Sequence, residues 1–462
     1  MSEVDLKVML TRSRKERSIT IIGAGLAGCE AAWQAAQRGV QVFLYEMKPQ
    51  RFSPAHENPN LAELVCSNSL RAARIDSAVG LLKEEMRRLG SLIMQAADAT
   101  AVPAGKALAV DRNRFAAWTT EKIEQHPAIT VRRQELHTLP AAEAHHPLIV
   151  AAGPLASAEL ASALQRITGT EHLAFYDAIA PIVAAESLDM QVLYRKSRWD
   201  EETAGDYLNC PLNREQYQRF VAELVAAEKV PLKSFEEARY FEGCLPVEVM
   251  AQRGPETLRF GPLKPVGLAH PHSGERFYAV VQLRAENAGQ SAYNLVGLQT
   301  KLTYSEQKRV FRLLPGLEQA EFLRLGSIHR NTFVCAPAVL QEDLSLRVAP
   351  HMYVAGQLAG VEGYVESAAA GLLAGINASR KALGQAFSAP PAASAHAALL
   401  RHLNQSDPAH FQPSNINFSL FAPLAGRIPK KQRGILRAQA ALAAVDAWRH
   451  QLVEEADIKA FQ

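Results

Sequence analysis

The sequence predicts an α/β protein in which a Rossmann-like domain, assembled from both ends of the chain, is interrupted by an inserted α+β domain. Three observations carry this. A strand, glycine turn, helix and second strand follow one another from Ser18; a second glycine-rich loop precedes a small-residue helix at 356–363; and the stretch between, about 156–334, has no glycine fingerprint and mixes alternating strands with polar helices.

Size and composition agree with that division. A chain of 462 residues is too long for one ordinary core, and 48% hydrophobic with 21% charged residues is usual for a globular protein. A formal charge of +3 is too mild to announce nucleic acid, although a basic face is easily hidden in a balanced total. The five cysteines, Cys29, Cys66, Cys210, Cys244 and Cys335, are odd in number and widely spaced, which excludes a disulfide framework or zinc site and points to the reducing cytoplasm. The charged segment 1–17 lacks the apolar core of a secretory signal and is expected to be a solvated extension, with a basic arm touching RNA as the alternative. No run of 18 apolar residues occurs, so no membrane span is expected.

The first unit reads "SITIIGAGLAGCEAAWQAAQRGVQVFLYEMKP". Gly23, Gly25 and Gly28 have GxGxxG spacing, with Ala24 between the first two. The first glycine permits a tight turn, the second lets the backbone approach a pyrophosphate, and the third lets the helix pack close to the sheet. The helix N-terminus offers unpaired N–H groups to phosphates, and Glu46, ending the second strand, suits a ribose without a 2′-phosphate.

Two later segments favour FAD over NAD as the dinucleotide. "HPLIVAAGPLAS", containing Gly153, is an apolar strand of the kind that passes beneath the cofactor. "HMYVAGQLAGVEGYVESAAAGLLAGINASRKAL" supplies Gly356, Gln357, Gly360, Val361, Glu362 and Gly363, then a helix expected from about Glu366 whose dipole favours negative charge on a flavin ring. The expected divisions are an extension at 1–17, FAD-binding parts at 18–155 and 335–385, the inserted substrate domain at 156–334, and a linker and C-terminal region at 386–462.

Cys66 in "AELVCSNSLRA" and Cys244 in "FEGCLPVEV" are each compatible with a buried core thiol or a reactive one; Cys29 and Cys210 read as structural. Arg71 and Arg74, Arg87 and Arg88, and the run Arg427, Lys430, Lys431 and Arg433 are solvated faces if taken singly and a nucleic-acid surface if they meet.

Taken with "LYEMKP", "GLLKEEMR", "VPAGKALAVDR", "FYDAIAPIV", "YLNCP", "YFEGCLPVEVMAQRG", "GPLKPVGL", "YAVVQLR", "HRNTF", "GQLAGVEGYVESAAAGLLAGINA" and "HFQPSNINF", these segments resemble the TrmFO family, the folate- and FAD-dependent tRNA uracil-5-methyltransferases. The resemblance runs from about Ser18 to about Phe418, outside the leader and the last forty or so residues. It implies a glucose-inhibited-division-protein-like fold and methylation of C5 of uridine 54 in the tRNA T loop. The carbon donor would be 5,10-methylenetetrahydrofolate, with NADH or NADPH as reductant. The partners implied are tRNA and folate, in the cytoplasm, with no membrane and no stable protein partner.

That chemistry gives the thiols a task. C5 of uracil is a poor nucleophile until a group adds at C6, and a thiolate adds and leaves readily near neutral pH. On the resemblance Cys244 is the C6 nucleophile and Cys66 removes the C5 proton or meets the flavin side, with the two roles interchangeable. Arg71, Arg74, Arg427, Lys430 and Lys431 become RNA contacts around a flipped base. The rival readings are the same chemistry on a ribosomal RNA uridine, and a non-catalytic tRNA-binding flavoprotein.

Overall fold

The computed structural model of the chain describes residues 17–170, 173–198, 205–231, 245–424 and 428–458. Strand β1 (Ser18–Ile22) is a β-branched run, helix α1 (Leu26–Gln37) follows the glycine turn, and β2 (Gln41–Glu46) returns parallel to β1 with Ser18 opposite Gln41. Helices α2 (Ala78–Arg88) and α3 (Arg112–Glu124) begin where the sequence places a capping oxygen: Ser77 accepts from Gly80 N–H and Asp111 from Arg114 N–H. Strand β3 (Ile129–Arg133) then pairs beyond β2, and β4 (Leu148–Val150) pairs with β1 on its other side.

The chain next leaves this sheet along β5 (Leu173–Ala178). Strands β6 (Ile182–Ala184), β7 (Tyr194–Arg195) and β8 (Tyr207–Leu212) are followed by helices α4 (Arg214–Ala226) and α5 (Val247–Gln252). After them come β9 (Ala279–Ala285), β10 (Ala292–Leu295) and β11 (Phe322–Arg324), which complete a sheet of order β7-β8-β9-β10-β6-β11. Its described pairings are all antiparallel, and it has its own core, with Leu208, Phe220, Leu283 and Phe311 fully buried. Strand β12 (Ile328–Phe333) pairs with β5 as the two-stranded ribbon by which the chain enters and leaves.

Strands β13 (Ser345–Leu346) and β14 (Ala349–Val354) return to the first sheet and give it the order β13-β14-β4-β1-β2-β3, parallel except for the β13 edge. Helix α6 (Tyr364–Ala382) lies on α1, and its small residues permit the approach: a Cβ at Gly371 would fall 2.2 Å from the Ala27 carbonyl oxygen. Helices α7 (Ala395–Gln405) and α8 (Lys430–Ile458) cover α2. Buried Glu85 of α2 accepts the Ala395 N–H at 2.7 Å and meets His396 Nδ1 at 2.7 Å, so α7 is docked through a capped N-terminus.

Two details depart from the sequence reading. The helix Ala158–Thr168 buries Leu160 and Leu164 in the parallel-sheet core, whereas the core of the antiparallel sheet starts at Val183. Helix α6 begins at Tyr364, two residues ahead of Glu366, because Gly363 adopts φ 102° and starts the turn. Strands added on both sides of β1 create the switch point at which α/β sheets bind ligands.

Candidate functional site

The C-terminal ends of β1, β2 and β4 open onto a cleft lined by Gly23, Ala24, Gly25, Glu46 and Gly153. Gly23 is held at φ 95° with its N–H on the Tyr45 carbonyl at 2.8 Å, and a Cβ at Gly28 would lie 1.7 Å from the Gly23 oxygen. Only glycine fits the third position, because α1 sits directly on the turn. Gly25 and Gly153 are the opposite case: beyond the adjoining residues of the chain, no protein atom comes within 4 Å of the position a Cβ would take at either. They leave a cradle for a group from outside the chain.

Glu46 is 6% exposed and its two oxygens are held by backbone, Oε2 accepting from Ala24 N–H at 2.9 Å and Oε1 from Lys48 N–H at 3.0 Å. Each carboxylate oxygen retains a lone pair for a ribose hydroxyl. Gly356 and Gln357 of the second glycine loop line the same cleft. These residues fit a dinucleotide of the FAD type. Gly360 and Val361 do not join them: a Cβ at Gly360 would meet the Phe411 ring at 2.6 Å, and Val361 is fully buried and bridges to Ser414. They shape the loop behind the cleft.

A second cavity of about 320 Å³ adjoins the cleft, sharing Val65, Pro154, Leu155, Gln357 and Tyr364 with it. Cys66 lines it, partly exposed, with Sγ 4.0 Å from the Ala178 carbonyl oxygen. The loop carrying this thiol is fastened from several directions. Tyr364 Oη accepts the Cys66 and Ser67 N–H groups at 2.7 and 3.1 Å; Arg284 of β9 donates to Ser67 Oγ at 2.7 Å and Asn68 Oδ1 at 2.8 Å. Arg112 donates to the Leu64 carbonyl at 2.7 Å and Arg324 to that of Val65 at 2.9 Å. Both domains therefore set the position of one thiol.

The same cavity gathers Asp177, Asn331, Glu362, Gly363 and Asn415. Burial, and then the Asp177 carboxylate, push the Glu362 carboxyl up to about 8; Gln357 Nε2 donates to it at 2.8 Å. Burial and the facing Cys66 thiol push the Tyr364 hydroxyl up, so it stays a neutral acceptor. Arg71, at φ 62°, forms an ion pair with fully buried Glu366 at the start of α6 and lines the cavity, so its charge is already engaged. Lys83, also fully buried, donates to the Leu70 and Arg71 carbonyls at 2.9 and 3.2 Å and holds that turn.

Cys244 and Arg427 lie outside the described residues. The residues that follow Cys244 are firmly placed: Val247 N–H donates to the Gln299 carbonyl at 2.7 Å, and buried Glu248 accepts from Thr300 Oγ1 at 2.9 Å and Lys301 N–H at 2.7 Å. Gln299 itself lines the cavity that holds Cys66. Cys29 and Cys210 are fully buried and desolvation drives both thiols upward, which makes them inert.

Among the basic residues, Arg74 and the start of α8 come together, since Gly434 packs against the Asp76 backbone with Lys430 and Lys431 exposed beside it. Arg74 itself pairs with Asp76. Arg87 and Arg88 are engaged by Asp98 and Asp446.

Sequence reasoning did not single out Arg284, Asp177, His329, Asn331 or Asn415, all of which line the cavity. Their signal was the motifs themselves: "YAVVQLR" ends in Arg284, "FYDAIAPIV" contains Asp177, "HRNTF" contains His329 and Asn331, and "HFQPSNINF" contains Asn415.

Comparison with known proteins places this geometry. The family model described as glucose inhibited division protein A matches residues 18–386. Solved structures of Aquifex aeolicus GidA share the fold, one at a TM-score of 0.67 and 16% identity over 95% of this chain and 78% of that one. A protein of Desulfotalea psychrophila named methylenetetrahydrofolate–tRNA-(uracil-5-)-methyltransferase TrmFO is 58% identical over 93% of this chain and 96% of its own length. One of the same name from Geobacter sulfurreducens is 58% identical over 93% and 98%. The chain belongs to the glucose inhibited division protein A family and, within it, to the TrmFO enzymes, the methylenetetrahydrofolate–tRNA-(uracil-5-)-methyltransferases.

Proposed function

We propose that the chain methylates C5 of uridine 54 in the tRNA T loop, taking the carbon from 5,10-methylenetetrahydrofolate and using bound FAD with NADH or NADPH as reductant. The observation that carries this reading is the Cys66 cavity, which shares Val65, Pro154, Leu155, Gln357 and Tyr364 with the dinucleotide cleft and is walled by both domains. A base and a folate brought there lie beside the cofactor.

Gly23, Gly25, Glu46, Gly153 and Gly356 would hold FAD, whose chemistry would be to supply the reducing equivalents for taking the transferred carbon to methyl. The chain's own part begins with the Cys244 thiolate, which adds to C6 of the flipped uracil and makes C5 nucleophilic toward the methylene. Val247 N–H donates to the Gln299 carbonyl and Gln299 lines the cavity, which supports this choice of nucleophile. Cys66, in the cavity adjoining the cofactor cleft, takes the C5 proton, after which Cys244 leaves by elimination. Tyr364, Arg284, Arg112 and Arg324 keep Cys66 in one place, which fixes the distance over which that proton moves. Arg74, Lys430 and Lys431 form the face that meets the RNA backbone, with Arg427 in the same run.

The test replaces Cys244 by Ala and offers tRNA carrying 5-fluorouridine at the target. The wild-type chain forms a covalent protein–RNA adduct with the donor present, and Cys244→Ala forms none; an adduct retained by the variant moves the nucleophile to another residue.

A further inference from the structure

Within the cleft, one side chain is prepared for a ligand that the fingerprint glycines and Glu46 do not explain. His56 stands on the loop joining β2 to Val65, lines the cleft, and is half-buried. Its Nδ1 lies 2.6 Å from Ser53 Oγ, and Ser53, itself buried, accepts the Ala55 N–H at 3.3 Å. The contact allows two arrangements, the Ser53 hydroxyl donating to Nδ1 or Nδ1–H donating to Oγ. In the first, Nδ1 is the lone-pair side of the ring and the ring proton resides on Nε2.

The charges around the ring keep it neutral. Burial and then the Lys48 ammonium push His56 down to about 4, with Arg324 and His329 acting in the same direction and Glu63 against them. Lys48 is not available to a ligand in its place, because its Nζ is spent on the Asn58 and Asn60 carbonyls at 2.9 and 2.6 Å and on Glu63 at 3.1 Å. In the first arrangement the neutral imidazole offers Nε2–H as its one N–H donor.

We propose that His56 Nε2–H, oriented by Ser53, donates a hydrogen bond to an acceptor oxygen of the bound dinucleotide. His56 lines the same cleft as Glu46, Gln357 and Tyr364. The inference rests on the FAD reading above and adds a binding residue to it.

Apo-protein titrated with FAD, followed by quenching of flavin fluorescence, tests it. The wild-type titration is the control for the FAD reading: no binding there fails that reading and leaves His56 nothing to contact. With wild-type binding established, His56→Phe is expected to weaken FAD by roughly 3- to 10-fold, the loss of one neutral hydrogen bond. Ser53→Ala should weaken it by a smaller factor, the double variant no more than His56→Phe alone, and His56→Gln, which puts an amide donor near the Nε2 position, should recover most of the affinity. Equal FAD affinity of His56→Phe and wild type overturns the proposal, as do Ser53 and His56 effects that multiply independently. Should His56→Phe fail to fold, Ser53→Ala and His56→Gln decide: wild-type affinity in Ser53→Ala together with a full loss in His56→Gln contradicts it.

Discussion

The hydroxyl of Tyr364, at the start of α6, accepts the backbone N–H of Cys66 at 2.7 Å across 298 positions of sequence. It takes the neighbouring Ser67 N–H at 3.1 Å as well. One oxygen thus joins the second glycine loop to the loop that carries the thiol. Tyr364→Phe leaves two partly buried donors without that acceptor, and stability should fall by about 1–3 kcal/mol in a urea melt. Methyl transfer should fall further than FAD affinity, because the cleft residues around Glu46 are untouched.

Arg284→Met keeps the aliphatic stem and removes the guanidinium that reaches Ser67 Oγ and Asn68 Oδ1 at 2.7 and 2.8 Å. Hydrogen bonds from a charged donor are worth about 1.5–3 kcal/mol each, so a loss of about 3–6 kcal/mol is expected for the two, read by chemical denaturation. The folded fraction should show a lowered kcat, since Arg284 belongs to the inserted domain and holds a loop of the other.

Glu46→Gln replaces an acceptor of two backbone N–H groups by a side chain with one acceptor and one donor. The amide nitrogen must face one of those donors or give up the ribose. FAD affinity should drop by roughly 10- to 100-fold, the cost of about 1–3 kcal/mol for an unmatched buried polar group, measured by flavin fluorescence.

The pH dependence of stability should carry the mark of Glu362. Its carboxyl titrates near 4.5 when exposed and at about 8 in the fold, through burial and then Asp177. Between those values the folded chain holds a proton that the unfolded chain has lost, so the group's contribution is fully present below 4.5 and is lost as pH rises through about 8. Glu362→Gln has no proton to lose. Stability of the apo-protein relative to this variant should decline steadily from pH 5 to 8; parallel pH curves would contradict the assignment.

Charge reversal of Arg74, Lys430 and Lys431 tests the basic face where α8 meets the turn at Asp76. Affinity for tRNA should fall and its salt dependence flatten, by about 0.7–0.9 in log–log slope for each phosphate no longer neutralised. Unchanged affinity and slope would move the RNA to another face.

How far the sequence could be read follows from how local each cause is. The placement of Gly23, Gly28 and Glu46 was legible because all three lie within one strand–turn–helix–strand unit, with periodicity and spacing to mark them. Gly360 and Val361 looked the same in sequence and proved to face Phe411 and Ser414, from segments some fifty residues on that no local pattern connects to them. The Cys66 cavity was legible only through the thiol. Asp177, Arg284, Asn331 and Asn415 come from four distant segments, and what brings them together is the ribbon of β5 and β12 and the return of the chain to the first sheet. Arg71 is the instructive case: an arginine after "CSNSL" reads as an RNA contact until buried Glu366 is seen to claim its charge.

The proposed function joins the cleft and the Cys66 cavity in folate-dependent methylation of a tRNA T-loop uridine. It is tested most directly by incubating the purified protein with methylene-labelled 5,10-methylenetetrahydrofolate, NADH or NADPH, and two tRNA transcripts that differ only at the T-loop uridine. Label should enter the transcript that has the uridine, appear as 5-methyluridine at that position, and stay out of the other. Equal labelling of both transcripts, or binding of FAD and tRNA without any transfer of label, would contradict the account.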